Sequence, residues 1–131
     1  MKLYHFTAEH LVDQILKQGI TRGVFPVLDE NGRLQFLINP CQWLTDDPNW
    51  YTQSWATREK IGYDRTAVRL TVVIPKEHRQ LLIRAYDYLS CLPEHLHRII
   101  TDWPSSEHWY MFLDKIPPGW IRKVDIRGKE Q

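Results

Sequence analysis

Cysteine is scarce in this chain and basic excess is missing, and each shortage closes a class of function. Cys41 and Cys91 have no CxxC partner, and neither has a neighbouring histidine or a sharp glycine turn, so nucleophilic or disulfide-exchange chemistry has no local signature. Two reduced thiols in a cytoplasmic protein is the economical reading. Lys plus Arg is 17 against 16 for Asp plus Glu, whereas strong non-specific attraction to nucleic acid needs a clear positive surplus. The basic run "IRKVDIRGK" is short and interrupted, and reads as a solvated strand end. No apolar run is long enough for an export signal or a membrane span, so no membrane partner is expected. Internal repeats, low-complexity tracts and linkers are also absent.

What is present fits one domain over residues 1–131, with 43% hydrophobic residues to build a core. The unusual feature is aromatic, with Trp 6 and Tyr 6, several beside polar residues. Such rings serve either as core or as stacking platforms for a planar ligand. Trp43, Trp50, Trp55 and Trp109 each read first as core residues.

Local signals give an outline. "LYHF" reads as a first strand, with Thr7 as N-cap of a helix in which Ala8, Leu11, Val12, Ile15 and Leu16 recur at helical spacing. Gly19 supplies its stop. Asn31-Gly32 between two apolar runs predicts a hairpin. A short strand around Trp43–Thr45 runs into a predicted helix, with Asp46 and Asp47 as an N-capping pair before Pro48. In "AVRLTVVIP", Val68, Leu70, Val72 and Ile74 alternate with Arg69 and Thr71, as in a half-buried strand. Helices are expected from Glu77 to Ser90 and from Pro93 to Trp103. "HWYMFLDKIPPGWIRKVDIR" reads as two strands joined or bent by Pro117-Pro118-Gly119. Strands at both ends with helices between predict an α+β domain.

Six histidines raise the question of a metal. His95 and His97 are two apart on a predicted helix and so point to different faces, and nothing nearby completes a tetrahedral set. No metal site is expected.

Four separated pieces carry the chemistry: "YHFT", "WLTDDPNWYTQSWA", "VRLTV" and "SEHWYMFLDKIPPGWI". In this order they resemble the ADP-ribosyltransferase-like fold, the group of diphtheria-toxin-like transferases, DNA-targeting ADP-ribosylating toxins and RNA 2'-phosphotransferases. "YHFTAEHLVDQILKQGI" is similar to that group's histidine-bearing first strand and following helix. Leu44-Thr45 is similar to its Leu-Ser or Leu-Thr step, and "IPPGWI" to its late turn. The resemblance implies a split antiparallel sheet around an NAD-sized cleft with flanking helices. It also implies NAD as substrate and a protein or nucleic-acid acceptor.

Under that resemblance His5, Thr7, Thr45, Tyr51, Trp55 and Arg69 bind the cofactor, and Glu107 is the catalytic carboxylate. An imidazole offers one donor and one acceptor to ribose hydroxyls or backbone. Tyr51 and Trp55, four apart on the predicted helix, would share a face and wall the nicotinamide. Breaking the nicotinamide bond builds positive charge at the ribose carbon, which a carboxylate stabilises. Arg69 is the one arginine placed for the 2'-phosphotransfer alternative. A binding module or inhibitor, keeping the fold and acting on a partner protein without the chemistry, is the reading from a different class.

Overall fold

The computed structural model describes residues 1–52, 65–90, 94 and 106–128. Strand β1 (Lys2–Thr7) leads through a 3-10 helix at Glu9–Leu11 into α1 (Val12–Gln18). Strands β2 (Phe25–Leu28), β3 (Leu34–Ile38), β4 (Gln42–Thr45) and β5 (Val68–Val73) follow. Then come β6 (Leu82–Arg84), α2 (Ala85–Ser90), β7 (Trp109–Phe112) and β8 (Ile121–Ile126). Six strands form one antiparallel sheet in the order β6-β7-β4-β1-β5-β8, and β2 and β3 form a separate hairpin. The domain is therefore α+β with antiparallel sheets.

The alternating segment around Leu70 organises the larger sheet. Val72, Leu70 and Val68 of β5 lie opposite Leu3, His5 and Thr7 of β1, and directly opposed residues in an antiparallel ladder share a face. That face carries the main core, where Leu3, Val68, Leu70 and Val72 pack with Leu44 and Phe112. Val12 and Ile15 of α1 cover it. Thr71 is also buried, so this strand is covered more completely than simple alternation implies. A second cluster forms around Cys41, Trp109 and Met111, closed by Phe25 and Val27 from the hairpin and Leu89 from α2.

Turn chemistry follows the sequence closely at two places. Gly32 has φ of +78°, and the Asp29 carboxylate accepts from the backbone N–H groups of Asn31 and Arg33. The hairpin loop is thus an Asx-type turn wider than the tight two-residue kind. Gly19 closes α1 at φ of +88°, and a β-carbon there would collide with the Ile116 carbonyl. Ile20 and Ile116 exchange backbone hydrogen bonds at 2.9 Å, which seats the end of the helix unit on the "IPPGWI" turn.

Three expectations change and one is met. Thr7 caps nothing: it is the buried last residue of β1, and the following helical turn has Ala8 at its N-cap with no side-chain bond. The predicted helix over Glu77–Ser90 is instead a 3-10 helix (Lys76–Leu81), strand β6 and the short α2. Leu82 and Ile83 are drawn into pairing with Phe112 and Met111, and the tertiary ladder overrides helical propensity. The two strands expected on either side of Pro117-Pro118-Gly119 are present as β7 and β8, with β7 beside β4 and β8 at the opposite edge beside β5. Asp47 does not start a helix at Pro48: Asp47 and Asn49 accept from the backbone of Asn49 and Tyr51 in successive turns. Trp55 and the predicted helix beyond it, and most of Pro93–Trp103, lie outside the described residues.

Candidate functional site

The pairing between β1 and β4 is where the sheet comes apart. Tyr4 lies opposite Thr45, and that is the one position at which these strands pair. Continued in the same register, His5 would meet Leu44, Phe6 would meet Trp43, and Thr7 would meet Gln42. Those pairs do not form. A cavity of about 680 Å³ opens along the gap, lined by Tyr4–Thr7 from one strand and Gln42–Thr45 from the other. Ile15 and Gln18 of α1, the segment Thr21–Gly23, Arg65 and Trp109 contribute to its walls. Its size lies within the range of roughly 300–1,000 Å³ typical of small-molecule and cofactor sites.

His5 answers for part of the missing ladder. Its Nδ1 lies 2.9 Å from the Trp43 carbonyl, and a carbonyl can only accept, so Nδ1 carries the proton. Burial holds the imidazole below its ordinary value of 6.5, and the bond to Trp43 opposes this to a smaller degree. The neutral ring then leaves Nε2 as an acceptor on a cavity-lining residue. His5 is at once a satisfied structural histidine and a wall of the site.

Thr7 and Thr45, both buried, line the same cavity. The Thr45 hydroxyl accepts from the backbone N–H of Asp47 at 3.1 Å, which turns the chain away from β4. Gln42, fully buried, had no signal in the sequence. Its Oε1 accepts from the Gly23 backbone N–H at 2.9 Å, and its Nε2 is shut from solvent with no partner among the described residues. Gly23 is required at that contact, because a β-carbon there would collide with the Cys41 carbonyl.

The aromatic wall of the cavity is built from different residues than expected. Trp43 packs edge-on between Phe25, at 5.4 Å between ring centroids, and Trp109, at 5.9 Å. Trp43 and Trp109 both line the cavity. Tyr51, expected in that role, is 82% exposed in a turn and does not line it.

Arg69 belongs to the opposite face. It pairs with Phe6 in register, on the side of the sheet away from His5. Its guanidinium donates to Asp125 at 3.0 Å and to the Pro48 carbonyl at 2.8 Å, and lies 4.7 Å from the Trp50 ring centroid. These contacts bind the 48–50 segment to β8, and they describe a structural clamp.

Glu107 lies on a 3-10 helix (Ser106–His108) just before β7, outside the residues that line the cavity. Its carboxylate is 3.6 Å from His108 Nε2, while His108 Nδ1 is 2.6 Å from Asp46. The Tyr110 hydroxyl, pushed up by burial and by the Asp46 carboxylate, is 3.5 Å from the same aspartate. Asp46 follows Thr45 directly and Glu107 stands two residues before Trp109, so this acid–imidazole cluster adjoins one end of the cavity. Sequence reading took Asp46 for a helix cap; the chain pairing that joins it to His108 could only be found in three dimensions.

Among the described residues no group of three or more metal-ligating side chains comes together, and no helix is long and apolar enough to cross a membrane. No protein-family model matches the chain, and no curated protein matches it significantly.

Proposed function

We propose that the gap between β1 and β4 binds NAD and that the chain is a mono-ADP-ribosyltransferase acting on a protein or nucleic-acid acceptor. The observation that carries this reading is the split itself: a cofactor-sized cavity opens where His5, Thr7 and Thr45 meet. The resemblance of "YHFTAEHLVDQILKQGI" to a transferase first strand and helix supports it. So do Arg22 and Arg65, which line the cavity and are the side chains suited to a pyrophosphate. The His5 Nε2 accepts a hydrogen bond from a ribose hydroxyl, and Trp43 or Trp109 offers a ring face.

In this mechanism the glycosidic C–N bond to nicotinamide breaks and nicotinamide leaves with the bonding electron pair. An acceptor nucleophile forms the new bond to the same ribose carbon and loses its proton to the acid–imidazole cluster. Glu107 and Asp46 supply negative charge beside the developing cation, and His108 between them holds the transferred proton. The test is nicotinamide release from NAD by the wild type and by Glu107→Gln. Release that falls at least a hundredfold in the variant, at unchanged NAD affinity, supports transfer; no release from the wild type with any acceptor mixture removes it.

The position of Glu107 outside the cavity lining favours a second reading. In that reading the cleft holds its ligand without chemistry and the chain acts as a binding module on a partner protein. It is distinguished by NAD binding that is never followed by nicotinamide release.

A further inference from the structure

The face of the sheet turned away from the main core gathers positive charge that the sequence spreads over three strands. Tyr4 of β1 lies opposite Thr71 of β5, and Thr71 lies opposite Lys123 of β8. Phe6, Arg69 and Asp125 form the neighbouring row. A groove of about 360 Å³ runs over this face, with Lys2, Arg69, Arg122 and Lys123 in its walls and Asp125 as the one acid among its described lining residues. Four cations against one acid leave the groove three positive charges, whereas the whole chain carries a net +1. The near-neutral composition conceals this local surplus. Arg69 is committed to Asp125 and the Pro48 carbonyl. Lys2 and Arg122 are exposed and form no ion pair among the described residues. Lys123 is 67% exposed, with Asp125 at 3.6 Å. Three cations therefore reach solvent from this groove.

We infer that this groove is a docking surface for single-stranded nucleic acid, with Lys2, Arg122 and Lys123 on its phosphates and the Tyr4 ring against a base. Strands β1 and β8, with β5 between them, stand roughly 10 Å apart, a span that long side chains convert into contacts with a few phosphates of one strand. Tyr4 is half-buried, and the Arg69 guanidinium 5.8 Å from its ring centroid places the ring on the groove side. Three cations are few for a duplex face but suit a short single strand, whose unstacked bases take an aromatic platform. An acidic peptide would match the charge and leave the ring unused. Tyr4 also lines the cavity, at the one rung that joins β1 to β4. A strand seated in the groove therefore passes beside the cavity. On the transferase reading the acceptor is then a nucleic acid; that clause rests on the reading, and the groove does not.

The experiment is fluorescence anisotropy of a fluorescein-labelled oligomer about 12 nucleotides long, once as DNA and once as RNA, titrated with the wild-type chain. A dissociation constant of about 100 µM or below at low salt is expected, with log K falling against log salt at a slope of about −2 for three phosphates. Lys2→Gln, Arg122→Gln and Lys123→Gln should each flatten the slope by about 0.7. All three together should weaken binding at least about tenfold at an unchanged urea midpoint. Tyr4→Leu should weaken it about fivefold or more without changing the slope. Binding of either oligomer with that salt dependence supports the inference, and the tighter one names the sugar. Absence of binding, equal binding of the matching duplex, equal displacement by poly-glutamate, or a folded triple variant that binds like wild type overturns it. NAD separates the two proposals. Oligonucleotide binding without NAD binding removes the transferase reading alone, and NAD binding without oligonucleotide binding removes the groove alone.

Discussion

His5 reaches across a gap between two strands and hydrogen-bonds the backbone carbonyl of Trp43 at 2.9 Å, two residues from the last pair that joins those strands. The imidazole thereby stands in for ladder hydrogen bonds that β1 and β4 do not make. A side chain is longer than a backbone amide, so the strands are held apart rather than together, and the opening is the cavity.

The histidine should mark itself in the pH dependence of stability. Its folded-state pKa is lowered by burial, and the hydrogen bond to the Trp43 carbonyl opposes this to a smaller degree. The unfolded chain therefore takes up a proton at His5 as pH falls through 6.5, while the folded chain resists until lower pH. Stability from this group is complete above that value and is lost as pH falls toward the folded-state pKa. Denaturant unfolding from about pH 7 to about pH 5 is expected to show a steeper loss for wild type than for His5→Asn. Equal slopes would contradict the account.

Arg69→Lys should separate structure from site. Losing the forked contact to Asp125 and Pro48, on the face away from His5, is expected to lower unfolding free energy by about 1–2 kcal/mol. Ligand affinity in the cavity should stay within about twofold. A variant as stable as wild type but impaired in binding would return Arg69 to the site.

Gly19→Ala is expected to be among the most damaging single changes. It combines a φ of +88° with a collision against the Ile116 carbonyl, at the point where the first helix docks on the late turn. A loss of about 2 kcal/mol or more by urea titration is the expected size. Gly32→Ala, also at positive φ but with open space around it, should be distinctly milder.

Cys41 should be inert. Burial pushes its thiol to about 11, so on the order of one part in a thousand is thiolate at pH 8. Iodoacetamide followed by peptide mapping is expected to label Cys41 fully in urea and scarcely in the native protein. Labelling of the native protein at the rate of an exposed thiol would show the second core cluster to be open.

Local signals were legible wherever a residue decides its own backbone. Gly19 and Gly32 fixed a helix end and a turn, and the alternation of Val68, Leu70 and Val72 marked the central strand facing the core. Long-range pairing was not legible. Nothing in "HWYMFL" or "IRKVDI" says that these strands lie at different places in the sheet, and "LLIRAYDYLS" carries helix formers that a neighbouring edge claims for a ladder. The site divides the same way. His5, Thr7 and Thr45 were visible through a motif, and the structure brings them to one cavity. Gln42 was invisible because its meaning depends on a register that stops, and Tyr51 and Arg69 were misplaced because neither a helix start nor a sheet face is set by the residue alone.

The most direct measurement is calorimetric titration of the purified chain with NAD, wild type beside His5→Ala, with both checked for folding by circular dichroism. Saturable binding by the wild type and its loss, tenfold or more, in a folded His5→Ala is the result expected of a ligand held between β1 and β4. Absence of heat at millimolar NAD, or equal binding by the two proteins, would contradict it.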